Sequence, residues 1–374
     1  MYVLHCADYA GPYAGSFVPM LRSAAQEARR RGHETGFVLS DVARGRTWLE
    51  ELERVGEIQF VHAGGSRTSD TGPLARRLAG VLRGQRGAVV LHTHFSTFDI
   101  PAALVGLRRR DSAVLWHEHT PLADEPHTRL RNALRYRWVG RLADRILCVS
   151  PELHRDLRAR GAPPGKLLDF PNAVDTQRFS PITDSERAAA RSALGLPPAA
   201  RVVLHFGWTW HRKGGDLMLA AAERLGSDPE LTVLTVVGES ATPDLANHLE
   251  RIPALRVVAP TSDIRRLYGA ADVFLSCSRA EGMPFAVMEA LACGLPVVGT
   301  ALPIQRALLS DLPGACIVPE DDPAAITAAI TAVLSLGPGA RAAHARLARA
   351  RIDPAYALET WARRLVDLYE STSG

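Results

Sequence analysis

The chain has 374 residues, 47% of them hydrophobic and 22% charged, with a formal net charge of +4. That is enough chain for two substantial cores, so a pair of α/β domains is the natural expectation. No apolar run approaches the roughly 18 residues of a membrane-spanning helix, and no repeat of solenoid period is present. The opening MYVLHCAD lacks a basic stretch and a long apolar core, so it reads as a first strand and not as a signal peptide. Five scattered cysteines, Cys6, Cys148, Cys277, Cys293 and Cys316, form no C-x-x-C pair, which fits reduced thiols and a cytoplasmic location. Lys166 and Lys213 are the only lysines, the other basic residues being arginine. A GC-rich genome explains the bias, but it leaves Lys213, just ahead of Gly214 and Gly215, conspicuous.

In chain order, MYVLHCA (1–7) is a strand, followed by the loop ADYAGPYAGSF (7–17). Gly11, Pro12 and Gly15 let backbone approach a ligand there, and the next helix offers amide groups, although this is not the G-x-G-x-x-G dinucleotide pattern. A helix over SFVPMLRSAAQEARRRG (16–32) leads to strands at TGFVLS (35–40), IQFVHA (58–63) and AVVLHTH (88–94), a helix at DIPAALVGLRRR (99–110), and strands at AVLWHEH (113–119) and RILCVS (145–150). The second half repeats the pattern with RVVLHFG (201–207), TVLTVVG (232–238), LRVVAP (255–260), DVFLSC (272–277), PVVGT (296–300) and ACIVP (315–319). Strands alternating with helices imply parallel sheets covered on both faces. The Pro-rich, polar stretch at 171–201 is the seam, placed at Phe179 to Thr183. This gives a domain over 1–180 and another over 181–354. The last segment, 354–374, spaces Tyr356, Trp361, Leu365 and Leu368 for one helical face.

Two H-x-H pairs, His92/His94 and His117/His119, each put two imidazoles on one side of a strand end. Hydrogen-bonded burial is the preferred reading of His92 and His94. An alternative is a metal-dependent hydrolase built on both pairs, with Glu118 or Asp99 as the carboxylate. It would leave the whole second half unexplained. Arginines cluster from Arg129 to Arg160 and at 108–110. They read as a solvated helix face in preference to a surface for anionic lipid, and no motif supports nucleic-acid binding.

The most informative stretch is SRAEGMPFAVMEALACGLPVVGT (278–300). A buried strand feeds a turn at Gly282, then a short helix with Pro284 at its start and Gly294 and Pro296 as stop signals. Such a helix N-terminus holds a phosphate or sugar oxygen. Glu281 lies in the turn, and Glu289, about two helical turns on, can point back at the same ligand. Met288 and Ala290 beside it give the helix little polar face to account for Glu289 otherwise.

This segment closely resembles the Glu-x7-Glu motif of the retaining family-4 glycosyltransferases of the GT-B fold. The resemblance extends along the chain through PNAVDTQRFSP (171–181), HFGWTWHRKGGDLML (205–219), TVVGES (235–240) and LYGAADVFLSCS (267–278). It implies an α/β protein of two Rossmann-like domains facing a central cleft, with the final helix (355–374) crossing back to the N-terminal domain. It also implies metal-independent transfer, with retention, from a nucleotide-diphosphate sugar, UDP-linked before GDP-linked, to a small-molecule or glycan hydroxyl. No cofactor is implied.

By resemblance Glu289 meets the ribose hydroxyls. Lys213 and Arg212 meet the diphosphate, while Glu281, Gly282, Met283, Pro284 and Phe285 surround the sugar. Gly15 meets the diphosphate from the first loop, and Val258 lines the base pocket within VVAPTSD (257–263). His119, or failing that His117, contacts the donor sugar. The family's Gly-Arg pattern is broken, because Trp208 follows Gly207, and Arg212 stands in for the missing cation. Acceptor loops are expected at 41–50, 62–73 and 119–130. An epimerase or phosphorylase on the same fold, and a silent donor-binding subunit, remain as alternatives.

Overall fold

The computed structural model describes residues 1–62, 70–122, 125–226, 228, 230–238, 249 and 251–373. The chain divides into two units, Met1–Ala173 with Leu358–Gly374, and Val174–Ala357. The division thus falls between Ala173 and Val174, within the 171–201 stretch and ahead of the boundary placed at Phe179 to Thr183. Much of the expected acceptor loop 62–73, part of 119–130, and Glu239 and Ser240 of TVVGES lie outside the described residues.

The first unit carries strands β1 (Tyr2–Ala7), β2 (Glu34–Ser40), β3 (Glu57–Val61), β4 (Val89–His94), β5 (Ser112–Glu118), β6 (Arg145–Cys148) and β7 (Leu167–Asp169). All pair in parallel, in the order β3-β2-β1-β4-β5-β6-β7. Helices α1 (Phe17–Arg30), α2 (Leu49–Glu53), α3 (Thr71–Val81), α4 (Asp99–Gly106), α5 (Pro126–Trp138) and α6 (Pro151–Ala159) connect them. Every residue of β1 and of β4 is buried, as a central parallel strand covered on both faces requires. β7 has three residues and carries no periodicity of its own, which is why the sequence reading passes over it.

The second unit holds α7 (Asp184–Ala193), β8 (Arg201–Gly207), α8 (Gly215–Leu225), β9 (Leu231–Val237), β10 (Leu255–Val258), α9 (Ile264–Ala270), β11 (Val273–Ser276), α10 (Phe285–Ala292), β12 (Val297–Thr300), α11 (Pro303–Leu309), β13 (Ala315–Val318), α12 (Pro323–Leu334) and α13 (Pro338–Ile352). Its sheet runs β10-β9-β8-β11-β12-β13, again parallel. Thr183 opens α7 with a capping box, its hydroxyl taking the Glu186 amide while the Glu186 carboxylate takes the Thr183 amide.

Helix α14 (Leu358–Ser373) belongs to the first unit. Its buried stripe includes Leu358, Trp361, Leu365 and Tyr369. Tyr369 therefore takes the place expected of Leu368, which is half-buried, while Tyr356 precedes the helix and its carbonyl accepts the Val174 amide at 2.9 Å. Arg31 anchors the helix by bonds to Asp367 (2.6 Å) and Glu370 (2.9 Å). The arginine cluster is only partly solvated. Arg129, Arg131, Arg137 and Arg141 are exposed, but Arg160 is buried and Arg135 turns inward to Asp99 and to Glu118.

Candidate active site

The strand order of the second sheet reverses at β8, whose neighbours β9 and β11 lead in opposite directions. In open parallel sheets ligands bind beyond the carboxyl ends of the strands at such a switch point. The two loops that leave it are 208–214 after β8 and 277–284 after β11. They carry Arg212, Lys213 and Glu281.

These loops are locked together by backbone as well as by charge. Gly214 has φ +68°, and a Cβ there would lie 2.0 Å from the Cys277 carbonyl oxygen, so both the left-handed turn and the close approach require glycine. A Cβ on Gly215 would meet the Trp210 ring at 2.3 Å. The Arg279 amide donates to the Arg212 carbonyl at 2.9 Å. The Arg279 side chain donates to the His211 carbonyl, to both oxygens of Asp216 at 2.8 and 2.7 Å, and to Asp321 at 2.7 Å. Hydrogen bonding to Arg279 holds the Asp216 carboxyl below its ordinary range. Below the loop, His205 lies between Thr235 and the Lys213 carbonyl, and burial pulls its pKa down to about 4.

Lys213 donates from Nζ to Glu281 Oε1 at 2.6 Å, and the Ser278 hydroxyl donates to the same oxygen at 2.6 Å. Arg212 Nη1 stands 3.8 Å from Glu281 Oε2 and donates to the Ala280 carbonyl at 3.4 Å. The carboxylate is nearly covered, with 6% of its side chain exposed, against 19% for Lys213 and 40% for Arg212. Arg279 is matched by Asp216 and Asp321, and Glu281 is bound most closely by Lys213, so the positive charge left available at the mouth of the sheet is chiefly that of the exposed Arg212, which suits an anion.

Gly282, Met283 and Pro284 form the turn into α10, with Pro284 capping the helix that Phe285 begins. The Val287 and Met288 amides both donate to the Pro284 carbonyl at 3.2 Å, while the Phe285 and Ala286 amides precede the first helical acceptor, as at any helix start. Glu289 is buried, 3% exposed, and its Oε2 lies 2.7 Å from the Tyr268 hydroxyl, which also lies 3.1 Å from the Ala286 carbonyl. Burial first, and the neighbouring Glu289 charge second, push the Tyr268 hydroxyl well above its ordinary pKa. Tyr268, Ser278 and Arg279 are contributors the sequence reading missed. Ser278 and Arg279 stand inside the Glu-x7-Glu segment, so only their partners were hidden. Val258 ends β10, the edge strand, separated from β8 by β9.

In the first unit, Gly15 has φ +55° in the loop after β1. His119 lies just past β5, 7% exposed, with Nδ1 3.1 Å from Asn172 Oδ1, and burial pulls its pKa down to about 4. His117, the second choice, is a core residue, stacked on Trp361 and on His92. The carboxylates required by the hydrolase alternative are engaged elsewhere. Glu118 accepts from Arg135 and Tyr136, each at 2.8 Å, and Asp99 is bound by Arg135 and Thr93. Strand alternation turns Glu118 to the face opposite His117. Among the described residues, the histidine groups contain no carboxylate, so that constellation does not form.

Residues 20–178 match the model of glycosyltransferase family 4, and residues 200–335 that of glycosyl transferases group 1. A D-inositol 3-phosphate glycosyltransferase of Xylanimonas cellulosilytica is 30% identical over 89% of this chain and 88% of its own length. The chain belongs to the group 1, family-4 glycosyltransferases. For some other curated relatives the match spans about half their length or less: 48% for one from Catenulispora acidiphila, and 52% for one from Geodermatophilus obscurus that is 35% identical over 59% of this chain. Among solved structures, the Anabaena protein HepE in complex with UDP-glucose superposes with a TM-score of 0.83 over 99% of this chain and 100% of that one, at 18% identity. A glycosyltransferase from Rickettsia africae gives 0.83 over 99% and 98%, at 16% identity. The fold of the chain is GT-B.

Proposed function

We propose that this glycosyltransferase takes its sugar from a nucleotide-diphosphate donor, UDP-linked in the first instance, and transfers it with retention of anomeric configuration to a hydroxyl of a small polyol or glycan. The observation that carries this reading is the convergence of Lys213 and Arg212 on Glu281 at the switch point of the second sheet, beside the N-terminus of α10. A leaving diphosphate develops negative charge as the glycosidic bond breaks, and fixed cations with helix amides stabilise that charge without reorganisation. Lys213 would exchange part of its bond to Glu281 for a phosphate oxygen. Glu289, held by Tyr268, would take the ribose hydroxyls. The turn Gly282–Pro284 and Phe285 would face the sugar.

The anomeric carbon–oxygen bond to the leaving phosphate breaks, the acceptor oxygen bonds to that carbon from the same face, and the departing phosphate oxygen takes the acceptor proton. With two side-chain cations and a helix terminus available, the reading needs no metal at the diphosphate. On the resemblance alone, His119 is assigned a contact to the sugar and Gly15 one to the diphosphate. The name of the Xylanimonas relative favours an inositol phosphate as the first acceptor to try.

The test is incubation with UDP-glucose or UDP-N-acetylglucosamine and inositol phosphate in the presence of a chelator, with NMR reading the product's anomeric configuration. An α-linked product at undiminished rate supports the proposal. A β-linked product, or activity that requires added metal, overturns the retaining, metal-independent part of it.

A further inference from the structure

The first unit contains a histidine layer of which the proposed sugar transfer uses only His119. His5 on β1 pairs in register with His92 on β4, and His94 on β4 with His117 on β5. Because side chains alternate along a strand, His5, His92, His94 and His117 project from one face of the sheet. His119 adjoins them, stacked on His117 at 4.1 Å. All five are buried, under α14 and the rings of Phe37, Phe170, Trp361 and Tyr369.

Hydrogen bonding fixes which nitrogens are left. His119 Nδ1 donates to Asn172 Oδ1 at 3.1 Å, so its Nε2 accepts from His94 Nδ1 at 3.0 Å. His94 Nε2 then accepts from His5 Nδ1 at 3.3 Å, a shared proton whose place a metal ion would take. His92 Nδ1 is taken by the Tyr369 hydroxyl at 2.6 Å, which leaves His92 Nε2, an atom with no hydrogen-bond partner among the described residues. Among the described residues, the second nitrogen of His5 and both His117 nitrogens also lack a partner of good geometry and are not among the ligand atoms proposed next, although the Phe170 main chain favours protonated His117. Buried polar atoms are rarely left unpaired, since each costs about 1–3 kcal/mol. An apolar side chain would fill the same space without that cost.

We propose that His5, His92 and His94 bind one divalent ion of the zinc class, with a water as the fourth ligand, at a site inside the first unit that ties β1 to β4 beneath α14. One ligand atom from each of the three lies within 4.8 Å of the others. The 3.3 Å between His5 Nδ1 and His94 Nε2 matches the separation of about 3.3 Å between two nitrogens that share a tetrahedral ion at ~2.0–2.1 Å. Imidazole without carboxylate or thiolate suits zinc and its neighbours in the first transition row and not magnesium or calcium. Tyr369 on His92, and the His119–Asn172 relay on His94, orient the rings as outer-shell partners do. The ligands belong to one unit and Lys213, Arg212 and Glu281 to the other; His119 is common to both readings, so within the layer the test alters only His5 and His92.

The full chain, freed of any affinity tag, is refolded with Zn²⁺ or Co²⁺ and dialysed against a weak chelator, and its metal content and visible spectrum are measured. One ion per chain, with the intense visible bands of four-coordinate cobalt, is expected. His5→Phe and His92→Phe should each reduce the metal content to about a tenth or less, whereas His62→Ala, at an exposed histidine, should leave it at one. No retained metal, a weak six-coordinate cobalt spectrum, or unchanged binding in both phenylalanine variants would overturn the site. If those variants fail to fold, the stoichiometry and cobalt spectrum of the unaltered chain decide.

Discussion

The two sheets are alike in architecture and opposite in how they treat polar side chains. Each is parallel and reverses order at one point, β1/β4 in the first unit and β8/β11 in the second. At β8/β11 the Lys213–Glu281 ion pair stands beyond the strand ends, in loops, with a single imidazole, His205, buried in β8 below it. At β1/β4 the polar groups stand within the strands, where burial drives His5, His92, His94 and His117 far toward the neutral form. A carboxylate and an ammonium tolerate partial burial only together, whereas an imidazole can shed its charge and join a core. Charge that must meet a ligand is therefore kept at the loop ends, and what lies inside the strands serves stability.

The largest expected effect separates these roles. Lys213→Ala should lower turnover about 10²–10³-fold, as loss of one preorganised charge donor does, while α14 and the first unit stay intact by hydrogen exchange. A loss under about tenfold would remove Lys213 from the diphosphate site. Next, Gly214→Ala should cost about 3 kcal/mol in chemical denaturation, because the added methyl meets the Cys277 carbonyl in a left-handed turn; a neutral result would mean that the two loops are not locked as described.

Acid should then distinguish the units. His119 and His205 titrate at about 4 in the folded chain against 6.5 when unfolded, and the other buried imidazoles of the first unit shift the same way. Below pH 6.5 the unfolded chain binds more protons, so stability falls between pH 6.5 and about 4, by ~1.4 kcal/mol per pH unit for each such imidazole. In chain freed of metal by a chelator, the first unit has five of them and should open before the second as pH drops, as read by hydrogen exchange across that range. Simultaneous opening would contradict the unequal burial of imidazoles in the two units. The smallest effect is Tyr268→Phe, which removes one hydrogen bond to Glu289 and should raise the donor KM about tenfold with little change in kcat, measured by steady-state kinetics.

Much of this was legible in the sequence, for physical reasons that differ by element. Strands such as VVLHTH and RVVLHFG are fully covered apolar runs bounded by turn residues, so β4 and β8 are readable. The Glu281 to Glu289 segment is readable because a strand, a turn and a short apolar helix leave two acids without a bland explanation. Long-range pairing was not legible. Arg279 bridging to Asp216 and Asp321, Tyr268 on Glu289, and Arg135 drawn in by Asp99 and Glu118 each join residues far apart in the chain. The five-histidine layer required knowing that β1 lies between β2 and β4, a fact of sheet order and not of local pattern.

The central claim, a nucleotide-diphosphate site between the β8 and β11 loops, is most directly tested by thermal unfolding of the full chain with UDP, GDP, ADP and dTDP in the presence of a chelator. A rise in unfolding temperature with one nucleotide, UDP before the others, that disappears in Glu289→Gln is the predicted result. No rise with any nucleotide, or a rise that Glu289→Gln retains in full, would contradict the assignment.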